Sequence, residues 1–333
     1  MDSASAGVAA TAGPKTGVCE VQVDAAGVPS SLKRSLGFSL GRVIPSYPIR
    51  VLMHILSLLA VCLIAANSLT GTATVRGSFC NNTDIALPKK KGSINLGQLM
   101  VLSFVVPSII IILVELLIAL VRATEDKEAQ QSSNVRMFCW EVPQWIVDLY
   151  TYLGGFGFTM ATAWLFADSL KCFVGSLRPH FFDACKPDWS QVKCKGSNGE
   201  YVYVEDFHCM NDAHRVEDAR RSFPSGHSTY TMCGMLFGVL YLQARFRWHE
   251  QQTAPKRRLR TRQGVFGAFM EKTFWFSQAL VPILQALMLL LALYVPATRV
   301  LEHFHHVRDV CTGMLLGGMV AIFGAFFIID LRP

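Results

Sequence analysis

Long apolar runs, separated by short polar stretches, set the pattern of this chain. A helix that crosses a bilayer needs about 20 mostly apolar residues. Six runs reach that length: 51–75, 96–121, 145–167, 226–244, 273–298 and 310–329. Glu115 falls within the second and Asp148 within the third, whereas the fifth and sixth carry no charged residue. Buried helices of soluble proteins rarely stay charge-free over such a length. The pattern predicts an all-α integral membrane protein with six transmembrane helices. Residues 1–45 are rich in Ala, Gly, Ser and Val and show no clear period. They are expected to form a mobile cytoplasmic tail ahead of a six-span unit over 46–333. No short cleavable signal peptide is evident, so the first span is expected to act as the targeting signal.

Composition agrees with the pattern: 51% of the 333 residues are hydrophobic and only 17% charged, against roughly a quarter charged in soluble domains. The net charge of +7 does not point to nucleic acid, because the basic residues sit between spans. From Arg245 to Lys272 there are eight basic residues against two acids, Glu250 and Glu271. By the bias of Lys and Arg toward the cytoplasm, that loop is cytoplasmic. Both termini then lie in the cytoplasm, and the loops after spans one, three and five lie outside. Lys89, Lys90 and Lys91 in the first outer loop run against this bias. The same loop carries Asn81-Asn82-Thr83, an N-glycosylation sequon that makes Asn81 the expected acceptor. Cys80, Cys185, Cys194 and Cys209 all fall in outer loops, which suits an oxidising compartment. One disulfide among the last three is expected, with its partners left open.

The chemistry gathers at the outer ends of the spans. Lys171 and Arg178 close the third span, seven residues apart, and can share a helix face that Pro179 terminates. The fourth span opens with Ser222-Phe-Pro-Ser225-Gly226-His227. Pro and Ser start helices, Gly lets a ligand approach the backbone, and free amides at a helix N-terminus bind phosphate. Between spans five and six come Thr298, Arg299, His305 and Asp309. If this stretch is helical, Asp309 at i+4 meets His305 and leaves its other ring nitrogen free to act as a nucleophile or base. Span three ends outside, span four begins there, span five ends there and span six begins there. All three clusters therefore face one compartment. No metal is expected, because the outer cysteines and histidines lack ligand spacing.

These residues resemble the lipid phosphate phosphatases, within the type 2 phosphatidic acid phosphatase and vanadium haloperoxidase superfamily. Lys171 with Arg178-Pro179 matches the first family motif, Pro224-Ser225-Gly226-His227 the second, and Thr298, Arg299, His305 and Asp309 the third. Thr298 replaces the family's Ser and keeps a hydroxyl. The resemblance runs over roughly residues 45–330. It implies a helical bundle of the phosphatase/haloperoxidase kind and cofactor-free hydrolysis of lipid phosphates on the extracellular or lumenal face. It implies His305 as the nucleophile, forming a phosphohistidine. Asp309 would orient His305, and His227 would serve as general acid and base. Lys171, Arg178, Ser225, Gly226 and Arg299 would hold the phosphate. Phosphatidate, lysophosphatidate, sphingosine 1-phosphate and ceramide 1-phosphate all fit such a site, and the family accepts several of them; oligomers are known in the family, which leaves a homo-oligomer open here. The chain ends without a retrieval signal, which favours the plasma membrane.

Overall fold

The computed structural model describes residues 47–123, 135–137, 140–251 and 265–331. The expected tail 1–45 and the basic residues Lys256 to Arg262 lie outside the described residues. The chain is mostly helical. Helix α1 is Tyr47–Thr70. A short α2, Leu96–Met100, begins at Asn95, whose side chain accepts from the Gln98 amide while Gln98 caps it in return. It runs through one wide turn, Val101–Val105, into α3, Val106–Ala123. Helix α4, Gln144–Val174, is followed by two short helices, α5 Phe181–Cys185 and α6 Ala213–Ala219. The bundle closes with α7 Gly226–Gln251, α8 Val265–Leu301 and α9 Val307–Phe323.

Helix α7 is the centre of the bundle: α9, α8, α4 and α3 all pack against it. Its Tyr230, Cys233, Met235, Phe237 and Tyr241 are buried, opposite Met160 and Ala163 of α4, Met288 and Ala292 of α8, and Val320 and Ala321 of α9. Two glycines bring α9 onto α7. A methyl on Gly313 would stand 2.6 Å from the Ser225 carbonyl, and one on Gly317 would overlap the Thr229 carbonyl. The small residues of the sixth run thus serve packing within the chain. Glu115, the acid in the second run, is buried and held by Arg245 and the Tyr241 hydroxyl, each at 2.5 Å.

The outward faces are apolar. Leu52, Leu56 and Leu63 of α1, Ile283, Leu290 and Leu293 of α8, and Leu315 and Met319 of α9 are all more than half exposed. Such a belt is unfavourable against water and suits hydrocarbon. Among the described residues, Leu96–Leu120, Leu280–Leu301 and Val307–Ile328 are long and apolar enough to cross a membrane.

A second, smaller core lies at one end of the bundle. Ile85, Leu177, Phe181, Val192 and Phe207 are buried together there. Two disulfides staple it, Cys80–Cys194 and Cys185–Cys209. A two-residue antiparallel pair, Ser78–Phe79 with Tyr203–Val204, joins the loop after α1 to the long segment between α5 and α6.

Candidate active site

Helix α4 ends, α7 begins, α8 ends and α9 begins at the end of the bundle that carries the small core. Lys171 lies in the last turn of α4. The helix stops at Gly175, before the expected Pro179. Gly175 takes a left-handed conformation (φ 59°), and its amide donates to the Lys171 carbonyl. A side chain there would also overlap the Thr74 carbonyl. Arg178 is therefore off the helix, and the shared helical face expected for Lys171 and Arg178 does not form. Arg178 is placed instead by its backbone amide, which donates to the Ala219 carbonyl at 2.8 Å.

Each of the three cations has a carboxylate beside it. Lys171 Nζ is 2.8 Å from Asp168 Oδ1, and Asp168 also accepts from Trp164 Nε1 and from the Tyr230 hydroxyl at 3.2 Å. Arg178 Nη2 is 2.7 Å from Asp218 Oδ1, while its Nε is buried with no hydrogen-bond partner among the described residues. Burial pulls the Arg178 guanidinium below its ordinary pKa, and Asp218 and Asp309 oppose the shift. Arg299 is 2% exposed, with Nη2 2.7 Å from Glu302 Oε2 and Nη1 donating to the Ile94 carbonyl at 3.2 Å. Its Nε and Nη2 both donate to the Thr298 hydroxyl. The hydroxyl that Thr298 shares with Ser makes these contacts.

His305 is buried, in the turn between α8 and α9. Its Nδ1 lies 2.8 Å from the Ser222 carbonyl, which fixes the proton there and leaves Nε2 unprotonated. Burial pushes its pKa well down, and the charges of Arg178 and Lys171 and the nearby His227 push it further. The imidazole is thus neutral at pH 7.

The expected direct contact between Asp309 and His305 is absent. Residues 302–306 form a turn, so the helical i, i+4 spacing does not apply. Asp309 sits in the first turn of α9, where its Oδ2 caps the helix by accepting from the His306 amide (3.1 Å) and facing His306 Nδ1 (3.2 Å). The same oxygen accepts from the Ser222 hydroxyl at 2.5 Å. Ser222 therefore stands between the carboxylate and the imidazole. Asp309 Oδ1 is buried without a hydrogen bond among the described residues, 3.6 Å from Arg308 Nε.

His227 opens α7, close enough to Arg299, Arg178 and Lys171 to feel all three charges. Its Nε2 is buried and has no hydrogen-bond partner among the described residues. Gly226 lies under Lys171: a methyl there would be 2.8 Å from Nζ. Ser225 is fully buried, its amide donating to the Asp309 carbonyl and its hydroxyl accepting from Ser228 Oγ at 2.9 Å. The amide bond ties α9 to the start of α7, and the hydroxyl bond stays within the first turn of α7.

Sequence reasoning left several residues without a role. Ser222 was visible only as the residue ahead of the Pro-Ser-Gly-His stretch. Asp168 and Glu302 could have been found three residues from Lys171 and Arg299, at helical contact spacing. Asp218 comes from a distant segment and had no local signal. The loop between α1 and α2 straps across this end of the bundle. Ser93 N donates to Glu302, Lys90 Nζ to the Leu301 carbonyl, and Leu87 N to the Pro179 carbonyl. These bonds hold the Lys89–Lys91 run at the end of the bundle that carries Arg299 and His305, whatever the cytoplasmic bias of lysine. Asn81 is exposed at the base of this strap.

The PAP2 superfamily profile matches residues 152–330. A putative phosphatidate phosphatase of Drosophila melanogaster is 29% identical over 79% of this chain, which spans 64% of that protein's length. Phospholipid phosphatase 1 of Mus musculus is 31% identical, covering 77% of this chain and 75% of the relative. Phospholipid phosphatase 2 of Mus musculus is also 31% identical, covering 77% and 76%. No solved structure matches the chain at a significant level.

Proposed function

The chain belongs to the PAP2 superfamily, and from that premise we propose that it hydrolyses lipid phosphates at the outer or lumenal edge of a membrane. One observation carries the reading. Three separate segments bring three cations, a neutral imidazole with a free nitrogen and a second imidazole whose Nε2 has no hydrogen-bond partner among the described residues to one end of an apolar bundle. Such a set fits transfer of a phosphoryl group, in which positioning and charge stabilisation do most of the work.

In the proposed reaction Lys171, Arg178 and Arg299 hold the phosphate oxygens, with the Gly226 backbone and Ser225 closing the cradle. His305 Nε2 attacks phosphorus, and the bond to the lipid alkoxide breaks. His227 delivers the proton to that oxygen, then removes one from the water that cleaves the phosphohistidine. The Ser222 carbonyl holds the Nδ1 proton of His305, and Asp309 acts on that arrangement through the Ser222 hydroxyl. No cofactor takes part. The substrates are lipids of the phosphatidate, lysophosphatidate, sphingosine 1-phosphate and ceramide 1-phosphate kind, whose headgroups sit at the depth of the site.

Six spans complete the proposal. Helices α1, α4 and α7 cross the membrane beside the three apolar segments already described. The termini are cytoplasmic, the plasma membrane is the expected location, Asn81 is glycosylated, and self-association is allowed. The test is phosphate release from lysophosphatidate and phosphatidate in detergent micelles containing EDTA. Wild type should release phosphate and His305→Ala should lose it by at least about a thousandfold. A folded wild type that releases none from either lipid would refute the reading.

A further inference from the structure

The three cations proposed to hold phosphate are not open. Each already has a carboxylate within 2.8 Å: Asp168 on Lys171, Asp218 on Arg178 and Glu302 on Arg299. The three acids are held differently. Asp168 is 8% exposed and carries two further donors, Trp164 and Tyr230, so it is fixed. Asp218 is 48% exposed, and among the described residues its side chain is held in the site by Arg178 alone. Glu302 has one oxygen on the Ser93 amide. Its other oxygen lies 2.7 Å from Arg299 Nη2 as an ion pair but out of line for a hydrogen bond. Asp218 and Glu302 can therefore let go of their arginines, whereas Asp168 cannot.

We infer that Asp218 and Glu302 are exchange counter-ions, which yield Arg178 and Arg299 to an incoming phosphate and take them back to expel inorganic phosphate. The inference rests on the phosphatase reading and names what sets product release. Three unopposed cations in a buried site would bind any phosphate strongly, product included. Binding substrate and product equally well does nothing for turnover. A competing carboxylate weakens the hold on every phosphate by a similar amount. A lipid ester recovers that loss through its tails in the hydrocarbon; free phosphate does not. The balance thus favours lipid entry over product retention. Arg178 Nε, buried and without a hydrogen-bond partner among the described residues, remains available to the phosphate throughout.

The experiment is calorimetric titration of inorganic phosphate into the full chain in detergent micelles, for wild type, Glu302→Gln, Asp218→Asn and Asp206→Asn. The amide oxygen introduced by Glu302→Gln can still accept from the Ser93 amide, so the strap stays tied. Asp206 is exposed beside His208, and its substitution makes the same charge change without touching the ion pairs of Arg178 and Arg299. Glu302→Gln and Asp218→Asn should each bind phosphate about tenfold more tightly, as loss of one screened neighbouring charge implies. Asp206→Asn should match wild type. The inhibition constant of phosphate in lysophosphatidate hydrolysis should fall by the same factor. A merely structural role predicts the opposite sign, because a disordered arginine binds phosphate less well. Unchanged or weaker binding in both variants overturns the inference, as does equal tightening in Asp206→Asn. Tighter binding in a chain that hydrolyses neither lipid supports the exchange and refutes the phosphatase reading, so the two failures are distinct.

Discussion

Ser222 offers the sharpest test of how the nucleophile is held. Its carbonyl takes the Nδ1 proton of His305 at 2.8 Å, and its hydroxyl donates to Asp309 Oδ2 at 2.5 Å. Ser222→Ala removes the second link and spares the first. A hydrogen bond to a charged group contributes about 1.5–3 kcal/mol. If that energy maintains the reactive placement of His305, kcat/KM should fall by about 10- to 150-fold. Asp309→Asn weakens the same link from its other end, so the two losses should not add. The assay is kcat/KM for phosphate release from lysophosphatidate by both single variants and the double variant, with folding checked by thermal denaturation. The double variant should be no worse than the poorer single by more than about threefold, a coupling of the size contacting residues show. Additive losses, or a Ser222→Ala variant within about threefold of wild type beside a crippled Asp309→Asn, would show that Asp309 reaches His305 without Ser222.

Two further outcomes follow from the same geometry. His305 titrates well below its ordinary range when folded, so the unfolded chain binds more protons as pH falls through about 6.5. Stability from this group is complete above that pH and declines below it. Wild type should therefore lose more melting temperature than His305→Gln between about pH 7 and pH 5, and parallel slopes would count against a buried neutral imidazole. Cys185–Cys209 spans 24 residues and ties the outer core together. The chain-entropy relation assigns such a loop about 3.5 kcal/mol. Cys185→Ser should lower the melting temperature measurably and reduce lipid hydrolysis, while equal stability with and without reductant would speak against the bond.

Some features were legible because they depend on local order along the chain. Apolar length alone marked the segments that became α3, α8 and α9, since hydrocarbon demands about 20 apolar residues whatever the neighbours do. Alternation of spans also implied that the ends holding Lys171, His227, Arg299 and His305 share a side, and the bundle places them at one end. Local signals failed where a neighbour in space decided the outcome. Gly175, pressed against the Thr74 carbonyl, stops α4 and moves Arg178 off the helix. A turn at 302–306 breaks the i, i+4 relation of His305 to Asp309 and inserts Ser222 between them.

The sequence by itself determined that the chain is helical and apolar, which residues carry charge and imidazole at the span ends, and which family they resemble. Those properties are additive along the chain. Tertiary structure alone decided the disulfide partners Cys80–Cys194 and Cys185–Cys209, the strap over the site, and the pairing of Arg178 with Asp218, 40 residues away. Each of these joins segments whose approach depends on how α7 gathers its neighbours, and a hydrogen bond or ion pair acts only over a few ångströms.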